Sequence, residues 1–194
     1  MYKLIAFLLI IPTITFSNPI NDNPIKEGDN LYNFFIEIPA GTKQKWEVDK
    51  KTGLLEWEIE NSQKRIIKFI SYPGNYGFIP QTMAGDGDPM DVIDLEEARL
   101  RGDVSAVKII GGMYFTDKGD EDIKLIAIDP AGVFGEYEKL ESLMLNQPSV
   151  VEILKNWFMS YKKPGKMVFH RLLNQKEAID LIETAHERWK SKHN

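Results

Sequence analysis

VSAVKIIGGMYFTDKGDEDIKLIAI, residues 104–128, holds two runs of β-branched and aromatic residues around an acidic break. Val104 to Phe115 and Ile123 to Ile128 read as strands, and Asp117, Asp120, Glu121 and Asp122, followed by Lys124, lie between them. Working outward, Tyr32 to Ile38 is a further strand, bounded by Pro39. Trp46–Asp49 and Leu54–Ile59 flank Lys50-Lys51-Thr52-Gly53, a hairpin signal. Arg65 to Ser71 and Lys166 to Leu172 also read as strands, and Tyr72 to Gly77 as a turn holding two tyrosines. Helices come only late. Ser149 with Glu152, and Asn174 with Glu177, form capping boxes ahead of apolar faces at helical spacing. Short strands with glycine and proline punctuation favour an antiparallel barrel over a doubly wound sheet. The expected fold class is mainly β (α+β), a small β-barrel with two C-terminal helices packed against it.

At 194 residues the chain is read as one domain large enough for a real core. Its formal charge of −5 argues against non-specific nucleic-acid binding, which needs a basic surface. With no cysteine, disulfides, thiolate zinc sites and cysteine nucleophiles are excluded. The three histidines all fall in the last quarter, a poor basis for a histidine-rich metal site.

The N-terminus departs from this pattern. One lysine in Met1-Tyr2-Lys3 precedes a nearly all-apolar run from Leu4 to Phe16, and Thr15 and Ser17 supply small residues at −3 and −1 of a cut after Ser17. That is the layout of a secretory signal peptide over residues 1–17, too short to span a membrane comfortably. A buried strand or an uncleaved anchor is the alternative. The expectation is a periplasmic or secreted protein with no stable membrane association after cleavage. Residues 18–30 are polar with two prolines and read as a flexible leader to a domain covering 31–194.

The chemistry gathers around Asp86-Gly87-Asp88-Pro89-Met90-Asp91. Three carboxylates this close repel one another unless a cation lies among them. With the second acidic group at 117–122, they form a hard-oxygen set of the kind Mg²⁺ or Mn²⁺ prefers. An EF-hand is ruled out, because Asp91 stands where its sixth-position glycine belongs and Met90 where a fifth-position ligand belongs. The rest are cations and phenols: Lys45 with Glu47 on one strand face, Lys64-Arg65, Tyr72 and Tyr76, Lys124 on the face of Asp122, and Tyr161-Lys162 ending the first helix. Acids for metals beside cations and hydroxyls for phosphate oxygens is what phosphoryl hydrolysis needs.

The segments E-I-P-A at 37–40, Y-P-x-N-Y-G-F-I-P at 72–80, D-G-D-P-M-D-V at 86–92 and D-K-G-D-E-D-I-K at 117–124 resemble family I soluble inorganic pyrophosphatase, and Tyr161-Lys162 with Gly165-Lys166 is similar to its C-terminal signature. The resemblance runs in consistent order from about Phe34 to Lys166. It implies an OB-like five-stranded barrel carrying helices, and Mg²⁺-dependent hydrolysis of pyrophosphate to two orthophosphates. By the same resemblance Asp86, Asp91, Asp117, Asp122 and Glu37 hold several Mg²⁺ ions, with Mn²⁺ as the alternative. Asp88 accepts a proton from water bridging two metals. Lys45, Arg65, Tyr76, Lys124, Tyr161 and Lys162 contact phosphate oxygens, while Glu47 and Tyr72 orient neighbours. A homo-oligomer is also implied.

Some positions depart from the family pattern. The loop from Pro39 to Lys45 is one residue short, Trp46 replaces a common tyrosine, and Met167 to Leu172 replaces a tryptophan-bearing strand. The family arginine aligns with Arg65 or is replaced by Lys64; Arg65 is preferred because guanidinium binds phosphate bidentately. Two other readings stay open: an exported phosphohydrolase for another small diphosphate or nucleotide, and a non-catalytic OB-type binding module.

Overall fold

The computed structural model describes residues 17–163 and 165–193. The strands are β1 (Tyr32–Ile38), β2 (Trp46–Val48), β3 (Leu55–Trp57), β4 (Ile59–Glu60), β5 (Gln63–Lys64), β6 (Asn75–Ile79), β7 (Met90–Asp94), β8 (Val104–Asp117), β9 (Asp120–Ile128) and β10 (Met167–Leu173). The helices are α1 (Leu140–Asn146), α2 (Pro148–Ser160) and α3 (Gln175–His193). The main sheet runs β1-β6-β7-β9-β8-β10, and a further β1–β8 pairing closes the first five strands into a ring. Closure depends on the length of β8. Its first residues, 104–107, pair with β1, while 112–117 pair with β10. The expected barrel is present, though not wholly antiparallel, because β7 and β9 run parallel.

Strand alternation divides the core in two. Ile123, Leu125 and Ala127 of β9 join Phe34, Ile36 and Val92 and the α3 residues Ala178, Ile182 and Ala185. Ile126 and Ile128, from the opposite face, join Ile93, Phe115 and the α2 residues Leu154, Trp157 and Phe158. Burial on both faces explains why these strands read as near-continuous apolar runs.

Several expectations need correction. Residues 65–71 form no strand beyond an isolated bridge from Ile66 to Gln44. Ile67 is buried, but Ile66 and Ile70 are exposed, so composition there did not reflect pairing. Three helices are described rather than two; α1, with only Leu140 and Leu143 buried, is too short to leave a periodic signature. Asn174 and Glu177 do form a capping box for α3, each side chain accepting the other's backbone N–H at 2.9 Å. The box read at Ser149 is not used, because α2 begins at Pro148 with Gln147 as its N-cap. Tyr76 and Gly77 lie within β6 rather than in a turn. The acidic 117–122 segment is itself mostly strand: Asp117 faces Asp120 across a two-residue turn, where Lys118 and Gly119 both have positive φ.

Residues 18–30 contain no helix or strand, yet they are held down: Asn33 Nδ2 donates to the Pro24 carbonyl at 2.8 Å and Lys26 pairs with Glu183 at 2.7 Å. Residues 1–16, the bulk of the expected signal peptide, lie outside the described residues. Among those described, no helix is long and apolar enough to cross a membrane.

Gly77 sits where β6 presses on β1, and a Cβ there would overlap the Phe35 carbonyl oxygen. That neighbour is backbone in a paired strand and cannot move aside alone. Gly77→Ala is expected to destabilise the fold by about 2 kcal/mol or more, seen as a melting midpoint several degrees below the parent; an unchanged midpoint would refute the close approach.

Candidate active site

The acidic and basic residues meet in a cleft of about 650 Å³. Glu37 comes from the end of β1, Lys45 and Glu47 from the β2 arm, and Tyr76 from β6. Asp86 and Asp88 sit on the β6–β7 connection, and Asp91 on β7. Asp117, Asp122 and Lys124 come from the β8–β9 hairpin, Tyr161 and Lys162 from the end of α2, and Arg65 and Tyr72 from the irregular segment before β6. All of these line the cleft. Lys64 does not; its amine lies 4.7 Å above the Trp57 ring, so Arg65 is the residue that faces inward.

Register explains the centre. Asp91 stands opposite Lys124 in the parallel β7–β9 pair, and Asp122 precedes Lys124 by two residues on the same face. Lys124, 3 % exposed, therefore meets both carboxylates: it contacts Asp91, and its Nζ lies 2.6 Å from Asp122 Oδ1 while donating to Tyr76 Oη at 3.1 Å. Burial works to lower the lysine's pKa, but the Asp91 and Asp122 charges outweigh it and hold the group above its ordinary value. A second pair joins Lys162 to Asp117 at 2.7 Å. Burial would raise Asp117, and the hydrogen bond and charge of Lys162 pull it below the ordinary range. Asp86 is pushed up by burial and then by the charge of Asp91.

The phenols are set by packing. Tyr161 stacks on Trp157 one turn earlier in the chain, with ring centroids 4.5 Å apart and planes at 8°. Tyr72 lies 4.5 Å from the same indole and 5.3 Å from Tyr76. Burial pushes both Tyr72 and Tyr76 well above the ordinary tyrosine value, so they enter the cleft as hydroxyls. Asp86 Oδ1 accepts the Asp88 backbone N–H at 2.9 Å across Gly87, a turn that needs φ of +86°.

Some contributors carried no prior assignment. Glu58 holds Arg65 through Nη1 at 2.7 and 2.9 Å and fixes the guanidinium plane. Lys50 touches Asp88 from the hairpin turn. Lys51, Lys118, Asp120 and Glu121 also line the cleft. Glu58 lies between β3 and β4, where its backbone bonds both Lys45 and Arg65.

The donor set fits a hard divalent cation, since only carboxylate oxygens are offered and Asp117 Oδ1 is buried without a hydrogen-bond partner. Among the described residues no three carboxylates converge as a ready metal-binding group. Lysines lie among these acids as counter-ions, Lys124 between Asp91 and Asp122 and Lys162 on Asp117, because crowded carboxylates need a cation of some kind.

Glu37 gives a direct electrostatic test. It is 6 % exposed, accepts the Val48 N–H at 2.8 Å, and is raised to about 7, by burial first and despite Lys45 nearby. A carboxyl raised from 4.5 in the unfolded chain costs stability when ionised. The cost is full above pH 7 and vanishes below pH 4.5. In chelator-treated protein, Glu37→Gln keeps the acceptor for Val48 and is expected to exceed the parent's stability at pH 8.5 by up to about 3 kcal/mol, with parity near pH 4.5, in urea titrations. Equal stability at both values would remove the burial argument.

Comparison with known proteins agrees with this geometry. The family model described as inorganic pyrophosphatase matches residues 34–190. An inorganic pyrophosphatase of Campylobacter jejuni is 33% identical over 177 residues, covering 88% of this chain and 100% of its own. The crystal structure of the Thermus thermophilus inorganic pyrophosphatase matches with a TM-score of 0.78 at 25% identity, over 90% of this chain and 99% of that one. A truncated vacuolar soluble pyrophosphatase of Trypanosoma cruzi, in complex with PPi, matches with a TM-score of 0.81 at 26% identity, over 88% and 73%. A family match across the sheet, the cleft and the helices, on the motifs that line that cleft, makes this chain a member of the inorganic pyrophosphatase family.

Proposed function

We infer that the protein hydrolyses inorganic pyrophosphate to two orthophosphates. The observation that carries this reading is the convergence, in one cleft, of acidic motifs from 86–91 and 117–122 with cations from four separate segments. A diphosphate is a compact polyanion, and Lys45, Arg65, Lys124 and Lys162 provide the positive charge to bind and orient it. Tyr76 Oη already accepts from Lys124, so its own proton is free for a phosphate oxygen, and Tyr161 offers a second hydroxyl. Glu58 keeps Arg65 flat for a forked contact, and Glu47, 3.5 Å from Lys45, steadies that amine.

Asp86, Asp91, Asp117, Asp122 and Glu37 are the residues that would hold Mg²⁺ ions, or Mn²⁺. Such ions supply charge neutralisation at the phosphates and a water acidic enough to attack near neutral pH. Lys124, already between Asp91 and Asp122, would present its amine to the phosphate held beside those carboxylates. Asp88, half-exposed on its turn in the lining of the cleft, would accept the proton of the attacking water.

The same reading extends to the chain's surroundings. Residues 1–17 act as an export signal, placing the enzyme in the periplasm or outside the cell, on the support of the charged start, apolar run and small residues at 15 and 17. Association into a homo-oligomer is supported by the exposed apolar side chains of Ile66, Phe69 and Ile70 on one short segment. Light scattering of the purified protein tests that association.

The decisive assay is phosphate release with Mg²⁺, with and without EDTA, on pyrophosphate, tripolyphosphate and ADP. Pyrophosphate is expected to be the preferred substrate and EDTA to abolish turnover; a tenfold preference for ADP would move the protein to another phosphohydrolase class. Asp88→Asn is expected to lower kcat about a hundredfold or more with little change in the melting midpoint, and a near-normal rate would refute its role. Arg65→Lys should raise KM about tenfold through loss of the forked contact, whereas Lys64→Ala should leave both constants unchanged.

A further inference from the structure

The segment just before β1 is tied into the cleft wall through a small turn centred on Asn18. The Asn18 carbonyl accepts the N–H groups of Asn21 and Asp22 at 3.0 and 2.9 Å, and its Oδ1 accepts that of Ile20 at 3.1 Å. Its own backbone N–H donates to Asp22 Oδ2 at 2.6 Å. The turn sends Ile20 into the cluster of Phe35, Val48 and Phe78 and into the lining of the cleft. The Ile20 carbonyl accepts the Gln81 N–H at 2.7 Å, and Asn21 accepts from Gln81 Nε2 and from Trp189 Nε1 at 3.0 and 2.9 Å. The Asn18 side chain meanwhile lies against Gly53, where a Cβ would come within 2.7 Å of Asn18 Cγ. One turn thus braces the hairpin bearing Lys45 and Lys50, the connection bearing Asp86 and Asp88, and the end of α3.

Ser17 differs sharply from its neighbour. It is exposed, and its hydroxyl reaches Asp22 Oδ2 at 3.3 Å. The residue at which the turn takes hold is therefore the one that follows the cut expected from Thr15 and Ser17. These two observations are independent, one of side-chain size and one of hydrogen bonding.

We propose that cleavage of the Ser17–Asn18 bond creates an α-ammonium on Asn18 that docks on the Asp22 carboxylate and latches this segment against the cleft. The proposal rests on the export reading above. Water adds across the peptide bond under an export peptidase, leaving a carboxylate on Ser17 and an ammonium on Asn18, and no other bond changes. A neutral amide donor, already in place, becomes a charged one, and such hydrogen bonds are the stronger kind. Lys50 from the hairpin and Lys192 and His193 from α3 line the same small pocket as Asn18. The two lysines add positive charge around Asn18, and Asp22 is the carboxylate that its new ammonium would meet. An uncharged turn would use the same atoms, but it would be indifferent to cleavage and to the protonation of the amine.

The test separates the two parts. Mass spectrometry of the protein purified after export is expected to find Asn18 as the first residue. Another start overturns the cut, while phosphate release from the same sample reports independently on the cleft. For the latch, Asp22→Asn is compared with the parent in the processed protein and in the uncut precursor made without export. In the processed protein the substitution should lower the melting midpoint by about 2 °C at pH 7 and have much less effect at pH 9.5. The sign follows because an amine stabilised by a carboxylate contributes below its ordinary range of about 8 and loses that contribution as it deprotonates. In the precursor the same substitution should act equally at both pH values. An equal loss in cut and uncut chains, or a loss in the processed chain that ignores pH, would overturn the latch.

Discussion

A buried ammonium held between two carboxylates organises this molecule. Lys124 is 3 % exposed, and such a group could not remain charged without Asp91 and Asp122 beside it. The carboxylates in turn could not crowd together without a cation between them. Neither arrangement stands alone, and both depend on the parallel pairing that sets Asp91 opposite Lys124. A shift of one residue in that pairing would turn Lys124 into the α3-facing core and Leu125 out of it. The register that builds the core is thus the register that builds the cleft.

That dependence explains how residues so far apart in the chain act together. Closing β1 onto β8 brings the ends of β1, β6 and β7 to the same rim as the β8–β9 hairpin. The hairpin is stiff because its turn takes only Lys118 and Gly119, leaving Asp117 and Asp122 on paired strands rather than on a loose loop. α2 completes the wall. Its Trp157 donates from the indole N–H to the Ile70 carbonyl at 3.1 Å while stacking on Tyr161, so one side chain secures both the irregular 65–71 segment and a cleft phenol. Strands carry the acids and hold them firmly. The helix end and the less regular segment carry Lys162 and Arg65, each held at the cleft by a carboxylate, Asp117 and Glu58.

Much of this was legible in the residues. Acid spacing at 86–91, alternation at 122–124 and the ordered motifs pointed to the cleft's inventory because those signals are local, needing only the two-residue period of a strand and the geometry of a turn. Residues 65–71 misled because β-branched composition reports burial and pairing together, and here Ile66 and Ile70 are exposed and only Ile66 makes a single isolated bridge, to Gln44. Glu58 escaped notice because its meaning lies in Arg65, a partner seven residues on that no linear spacing announces. The counter-ion role of the lysines was equally hidden. Sequence lists acids and bases alike, and whether a carboxylate meets an amine or a metal is a matter of distance.

The sequence by itself determined the strand-rich class, the acidic and basic inventory, and the family, since each is written in neighbouring residues. Only the tertiary structure decided that β7 lies parallel to β9, that Arg65 rather than Lys64 faces the cleft, and that Lys124 neutralises two aspartates at once. Those outcomes come from chain closure, which joins segments distant in order, and the energy of a charge depends on what lies within a few ångströms of it rather than on what precedes it along the chain.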